Sequence, residues 1–146
     1  MPNYSGMWTL QAQMQANSQS LWPQIAKPGL YSWGRNEYGQ LGQNNITNLS
    51  SPVQVGALTT WSKISLGDSA SSIKSDGTLW TWGSNGQGQL GDNTVINKSS
   101  PVQVGALTNW SDVVNGGSFN LAIKTDGSLW SCLLYTSPSP RDQRGS

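Results

Sequence analysis

The 146-residue chain carries eight basic and seven acidic residues, a net charge of +1, too sparse and too evenly scattered to neutralise a nucleic-acid backbone. One cysteine and no histidine exclude an internal disulfide, a thiolate zinc cluster and the commonest general base. Apolar residues make up 35% and charged residues only 10%, as expected of a soluble domain covered by polar loops, and no window approaches the roughly 18 apolar residues of a membrane span.

Residues 1–27 form a segment of their own. Trp8, Leu10, Ala12, Met14 and Ala16 alternate with Thr9, Gln11, Gln13 and Gln15, which predicts a strand. The segment lacks the basic and apolar regions of a secretory signal, which leaves a cytoplasmic or virion-associated location as the expectation.

From residue 28 the chain repeats itself. The segment Ser50–Thr59 recurs identically at Ser99–Thr108, a shift of 49 residues. The same shift carries Trp33-Gly34 onto Trp82-Gly83, Asn36 onto Asn85, Gly39 and Gly42 onto Gly88 and Gly91, and Trp61 onto Trp110. Past Gly67 the offset becomes 50, so that Asp76-Gly77 and Trp80 match Asp126-Gly127 and Trp130. The first copy therefore lacks one residue, and a disturbed strand is expected at Ser69–Ser72. The repeats are placed at 28–77 and 78–127, with the start of a third at 128–131.

Each repeat reads as short strands joined by turns, with no helical period. In the second copy strands are expected near Pro101–Val104, Asp112–Asn115, Leu121–Lys124 and Leu129–Ser131. Asp-Gly between the last two is a hairpin signal, because it tolerates positive φ. Four short antiparallel strands per unit of about 50 residues define a propeller blade, so the fold class is all-β: a partial, truncated β-propeller of about two four-stranded antiparallel blades.

The motif from Leu30 to Gly42, its copy from Leu79 to Gly91, and Ile123–Trp130 resemble regulator-of-chromosome-condensation repeats. That resemblance covers residues 28–131 and implies a seven-bladed propeller of roughly 350 residues. Phe119 departs from it, standing near where many members carry His. Residues 4–16 weakly resemble the N-termini of marine phage structural proteins, which suggests a virion component. Residues 132–142 break the repeat, which calls for Trp and Gly at 132 and 133, and they look like a translated sequencing adapter. Residues 132–146 are thus expected to be an artefactual or disordered tail.

No acid, base, nucleophile or cofactor constellation emerges. Gly86-Gln87-Gly88-Gln89-Leu90-Gly91 fits a dinucleotide fingerprint, but its copy lacks the first glycine and neither copy leads into a helix. Asp92 and Asn93, like Asn44 and Asn45, lack the spacing of a calcium loop. Asp76 and Asp126 each belong to a turn. The paired aromatics Trp80/Trp82 and Tyr31/Trp33 each project to one sheet face, where core packing is expected over sugar stacking.

The repeat supplies its own sorting rule. Positions shared between copies build the blades: Trp33, Gly34, Gly39, Gly42, Trp61, Asp76, Gly77, Trp80, Trp82, Gly83, Gly88, Gly91, Trp110, Asp126, Gly127 and Trp130. Positions that differ are the candidates for partner binding: Arg35, Glu37, Tyr38, Thr47 and Leu49 in one copy, Ser84, Gln87, Ile96 and Lys98 in the other. The expected function is a non-catalytic interaction or structural propeller with a protein partner. Nucleotide exchange on a small GTPase, implied by the family resemblance, and glycan binding through exposed Trp are the alternatives.

Overall fold

The computed structural model describes residues 29–132; the N-terminal strand expected at residues 8–16 and the tail from residue 133 lie outside them. Nine strands and no helix occur among the described residues: β1 Tyr31–Gly34, β2 Leu49–Gln54, β3 Trp61–Leu66, β4 Ser69–Lys74, β5 Leu79–Gly83, β6 Lys98–Gln103, β7 Trp110–Asn115, β8 Asn120–Lys124 and β9 Leu129–Cys132. They fall into three antiparallel sheets, β1-β2, β3-β4-β5-β6 and β7-β8-β9. The repeat unit and the sheet are out of phase. One 49-residue period supplies the last two strands of one sheet and the first two of the next, so every repeat ties two sheets together covalently.

Local chemistry explains the strand ends. The β4–β5 hairpin turns at Ser75–Thr78, where Gly77 adopts a φ of 79°, and the Asp76 carboxylate accepts the Thr78 amide at 3.0 Å and the Thr78 hydroxyl at 2.6 Å. Asp126 repeats this with Ser128 at 2.9 and 2.6 Å. The pairing of β5 with β6 shifts register between Thr81 and Gly83, as that of β1 with β2 does between Ser32 and Gly34. Each bulge thus contains a tryptophan, Trp82 or Trp33, and re-aims its side chain.

The lost residue after Gly67 does not disturb β4, contrary to expectation. β4 is paired without irregularity to β5 and buried along its whole length. The deletion falls in the turn before it: Leu66 pairs with Ala70, whereas Asn115 pairs with Asn120, one residue further on. A turn shortens cheaply because no ladder bond or core side chain is removed.

The principal core cluster lies between the second and third sheets, where Ile73 and Leu79 meet Trp110, Val113 and Ala122. Asn115 locks the same junction. Its amide N–H donates to Ser65 Oγ at 2.8 Å, and its side-chain nitrogen donates to Ser69 O at 2.8 Å and to Ser69 Oγ at 2.6 Å.

Candidate partner-binding surface

The nine candidate binding residues all lie on the two long β1–β2 and β5–β6 connections, residues 35–48 and 84–97, or on the first residue of the strand that follows. These connections leave corresponding ends of repeat-equivalent strands, so the structure brings the candidates to one end of neighbouring sheets. Arg35, Glu37, Thr47, Gln87 and Ile96 are exposed; Tyr38, Leu49, Ser84 and Lys98 are half-buried.

Each connection is held rigid by a buried asparagine. Asn36 donates its side-chain nitrogen to Asn45 O at 2.9 Å and Thr47 O at 3.0 Å, and its Oδ1 accepts the Leu41 amide at 2.9 Å. Its own amide donates to Asn48 Oδ1 at 2.8 Å. Asn85 repeats every one of these bonds with Thr94 O, Ile96 O, the Leu90 amide and Asn97 Oδ1. A primary amide offers two donors and a two-lone-pair acceptor, the set needed to close a loop of this length from inside. The sequence shows Asn36 and Asn85 only as matched letters; the hub they form depends on chain closure over about twelve residues, which local patterning does not reveal.

With the hub inside, Arg35, Glu37, Thr47, Gln87 and Ile96 stand exposed. Arg35 forms an ion pair with Glu37 on the surface, and its guanidinium stands over the Tyr38 ring at 5.8 Å. The hydrogen bond from Arg35 holds the Glu37 carboxyl below its usual range. In the second connection Lys98 lies 3.4 Å from Asp92. Burial alone would raise the Asp92 pKa, but hydrogen bonds from Thr94 and Asn85 and the Lys98 charge outweigh it and lower it. Asp92 is thereby committed to internal partners. Beside these polar groups stand the exposed apolar tips Ile46, Val95 and Ile96.

The glycine-rich stretch does not form a phosphate cradle. The Gly88 amide donates to Asn85 O at 2.9 Å, the Leu90 amide to Asn85 Oδ1 and the Gln87 amide to Gln89 Oε1 at 2.8 Å. Those N–H groups are already used, and Gly39–Gly42 is folded the same way. Cys132, standing where the repeat calls for Trp, completes β9 opposite Asn120, and burial pushes its thiol pKa up, away from a reactive thiolate.

The tryptophans divide into two groups. Trp82 is buried and donates its indole N–H to Gln40 O of the first connection at 2.9 Å. Trp61 and Trp80 meet edge to face at 6.2 Å, with Lys74 Nζ 3.4 Å from the Trp80 ring centre; Trp110, Trp130 and Lys124 repeat this at 6.3 and 3.9 Å. A lysine ammonium thus stands over one tryptophan ring in each hairpin. Trp33 and Trp130 depart from the expected core packing, being 59% and 51% exposed, because no further sheet covers them among the described residues.

The profile described as "Regulator of chromosome condensation (RCC1) repeat" matches residues 29–73 and 76–123, well over half of the chain. The chain belongs to the RCC1 repeat family. Solved structures similar to this RCC1-repeat chain include human WBSCR16, at 21% identity and a TM-score of 0.64 over 72% of this chain. Yeast RCC1 (Prp20) solved bound to Kap60 gives 23% and 0.59 over 75%. Prp20p from Saccharomyces cerevisiae, described with its binding properties to Gsp1p and histones, gives 24% and 0.57 over 74%. The chain spans only 28%, 26% and 27% of those three chains, and at these identities the likeness establishes the β-propeller fold. No curated protein sequence matches.

Proposed function

We propose that this chain is a non-catalytic protein-interaction module whose partner-binding surface is the end of the sheets formed by residues 35–49 and 84–98. One observation carries the reading: the side chains the two repeats share, Asn36 and Asn85 above all, are spent inside the connections, while five of those that differ, Arg35, Glu37, Thr47, Gln87 and Ile96, stand exposed at the same end. An enzyme needs convergent reactive groups in a cleft. Here the exposed groups are a paired Arg35–Glu37, a ring and apolar tips, the mixture that suits a protein surface.

Kap60, Gsp1p and histones, named with the yeast relatives, give the class of partner to test first. Guanine-nucleotide exchange rests on the family alone, since the repeat motif transfers no exchange-specific residue to this chain. For the glycan reading, Trp82 is buried and lysines stand over Trp80 and Trp130, which leaves the exposed Trp33 as the ring to test. The virion reading rests on residues 4–16, outside the described residues.

Binding of the full chain to immobilised histones and to a Gsp1p-type GTPase, measured alongside Arg35→Ala and Ile96→Asp, tests the proposal. Each substitution is expected to weaken binding about tenfold or more, the scale of a lost interface contact. Leu58→Asp and Leu107→Asp, on the connections at the other end of the sheets, are expected to leave it unchanged. Binding that depends on Leu58 and Leu107 but not on Arg35 and Ile96 overturns it.

A further inference from the structure

Two asparagines of the second copy are followed by glycine, Asn85-Gly86 and Asn115-Gly116, where the first copy carries Asn36-Glu37 and Leu66-Gly67. Asparagine before glycine is the pair most open to cyclisation, because the nitrogen that must reach the side-chain carbon is not hindered by a neighbouring Cβ. The structure treats the two pairs differently. The Gly116 amide donates to Phe119 O at 2.8 Å, so its nitrogen is engaged. Gly86 is exposed, its amide makes no hydrogen bond among the described residues, and a Cβ there would meet nothing within 4 Å.

We propose that Asn85 is a self-modification site, deamidated when the second connection opens, and that the change is one-way. The Gly86 nitrogen, its proton taken by solvent base, attacks Asn85 Cγ; the Cγ–Nδ2 bond breaks, ammonia leaves and a succinimide ring closes. Water then opens the ring at either carbonyl, leaving aspartate or isoaspartate, so the net exchange is water for ammonia. In the closed connection the hub opposes the first step. Asn85 Nδ2 donates to Thr94 O at 2.9 Å and Ile96 O at 3.1 Å, and Oδ1 accepts the Leu90 amide at 3.0 Å, which fixes Cγ and holds the leaving nitrogen in place. The rate is therefore set by how often this connection opens locally.

The consequence of opening is specific to this copy. Asn85 Nδ2 also donates to Asp92 Oδ1 at 3.1 Å, whereas the first copy carries Gln43 at the place of Asp92. A carboxylate at residue 85 has no hydrogen to offer Thr94 O, Ile96 O or Asp92, and it sets a second negative charge against Asp92 at a fully buried position. Burying such a charge without a partner is costly, so the connection does not reclose. Asn36, with the same hub but Glu37 after it, opens and recloses unchanged. The device depends on the hub and holds whatever the surface binds.

Peptide mass spectrometry of the full chain, incubated at mildly alkaline pH in buffer and in urea, tests the assignment. In urea Asn85 is expected to deamidate about tenfold or more faster than Asn36, and in buffer about tenfold or more slower than in urea. Gly86→Ala is expected to slow the reaction in urea about tenfold without lowering the denaturant midpoint, since the site has room for a Cβ and the first copy carries Glu37 there. Asn85→Asp supplies the product directly: it is expected to lower the midpoint, and adding Asp92→Asn to restore part of the loss. Equal rates at Asn85 in buffer and in urea, deamidation of Asn36 as fast as that of Asn85, or a midpoint unmoved by Asn85→Asp overturns the proposal.

Discussion

The junction before the second sheet and the junction after it are made from the same repeat and sealed in opposite places. The earlier one is tight where Trp82 reaches back to Gln40 O and lies against Gly42, and open beside it, where a cleft lies among Leu30, Ile64 and Leu66. The later one is tight through Ile73, Val113 and Asn115, and weaker where Cys132 takes the tryptophan's place against Gly91. There Gln89 O accepts Asn120 Nδ2 at 2.7 Å in place of an indole. The comparison teaches that blade cohesion has two separable parts: an indole that clasps the preceding connection, and an inner apolar core closed by the strand before it.

Removing the clasp has the largest expected effect. Trp82→Ala deletes a buried indole and its hydrogen bond, with an expected loss of about 3–5 kcal/mol in denaturant unfolding. Gly77→Ala comes next. A Cβ there lies 2.0 Å from Thr108 O, on the connection into the third sheet, and φ is already positive. Gly127 shares the φ but has open space around it, so Gly77→Ala is expected to cost about 3 kcal/mol and Gly127→Ala about 1 kcal/mol. Similar costs at the two glycines would mean that the later junction bears no load.

Restoring the clasp sharpens the contrast from the other side. Cys132→Trp is expected to stabilise the chain by about 2 kcal/mol through apolar burial against Gly91 and Val104. The smallest effect is that of pH. Hydrogen bonds from the Thr78 and Ser128 hydroxyls, and then from their amides, hold Asp76 and Asp126 below the usual carboxylate range. A carboxylate with a depressed folded pKa contributes stability that is complete above its unfolded pKa of about 4 and is lost as pH falls through the folded value. Thermal midpoints are therefore expected to drop below about pH 4, and the drop to flatten in Asp76→Asn with Asp126→Asn.

The sheets and turns were legible in the sequence because two copies act as controls on each other. Asp-Gly turns and the strands of the second copy lie where alternation and turn chemistry predict. Three features were not legible, each for a physical reason. The deletion after Gly67 was assigned to β4, but a turn absorbs it without losing a ladder bond. The exposure of Trp33 depends on a neighbouring sheet and not on its own strand. The hubs at Asn36 and Asn85 satisfy carbonyls nine and eleven residues away, a relation only the closed loop defines. Among the candidate binding residues, exposure separates Arg35 and Ile96 from Lys98, whose charge is engaged by Asp92.

The central claim is that residues shared by the copies build the blades and residues that differ are free to serve partners. The direct test is a denaturant midpoint for two variants of the full chain. In one, Arg35, Glu37, Tyr38, Thr47 and Leu49 are replaced by their counterparts Ser, Gly, Gln, Ile and Lys from the second copy. The other carries the single change Asn36→Ala. The five-fold exchange is expected to shift stability by about 1 kcal/mol or less, and the single one to cost about 3 kcal/mol, because it leaves buried carbonyls and amides without partners. A chain unfolded by the exchange, or indifferent to Asn36→Ala, contradicts the account.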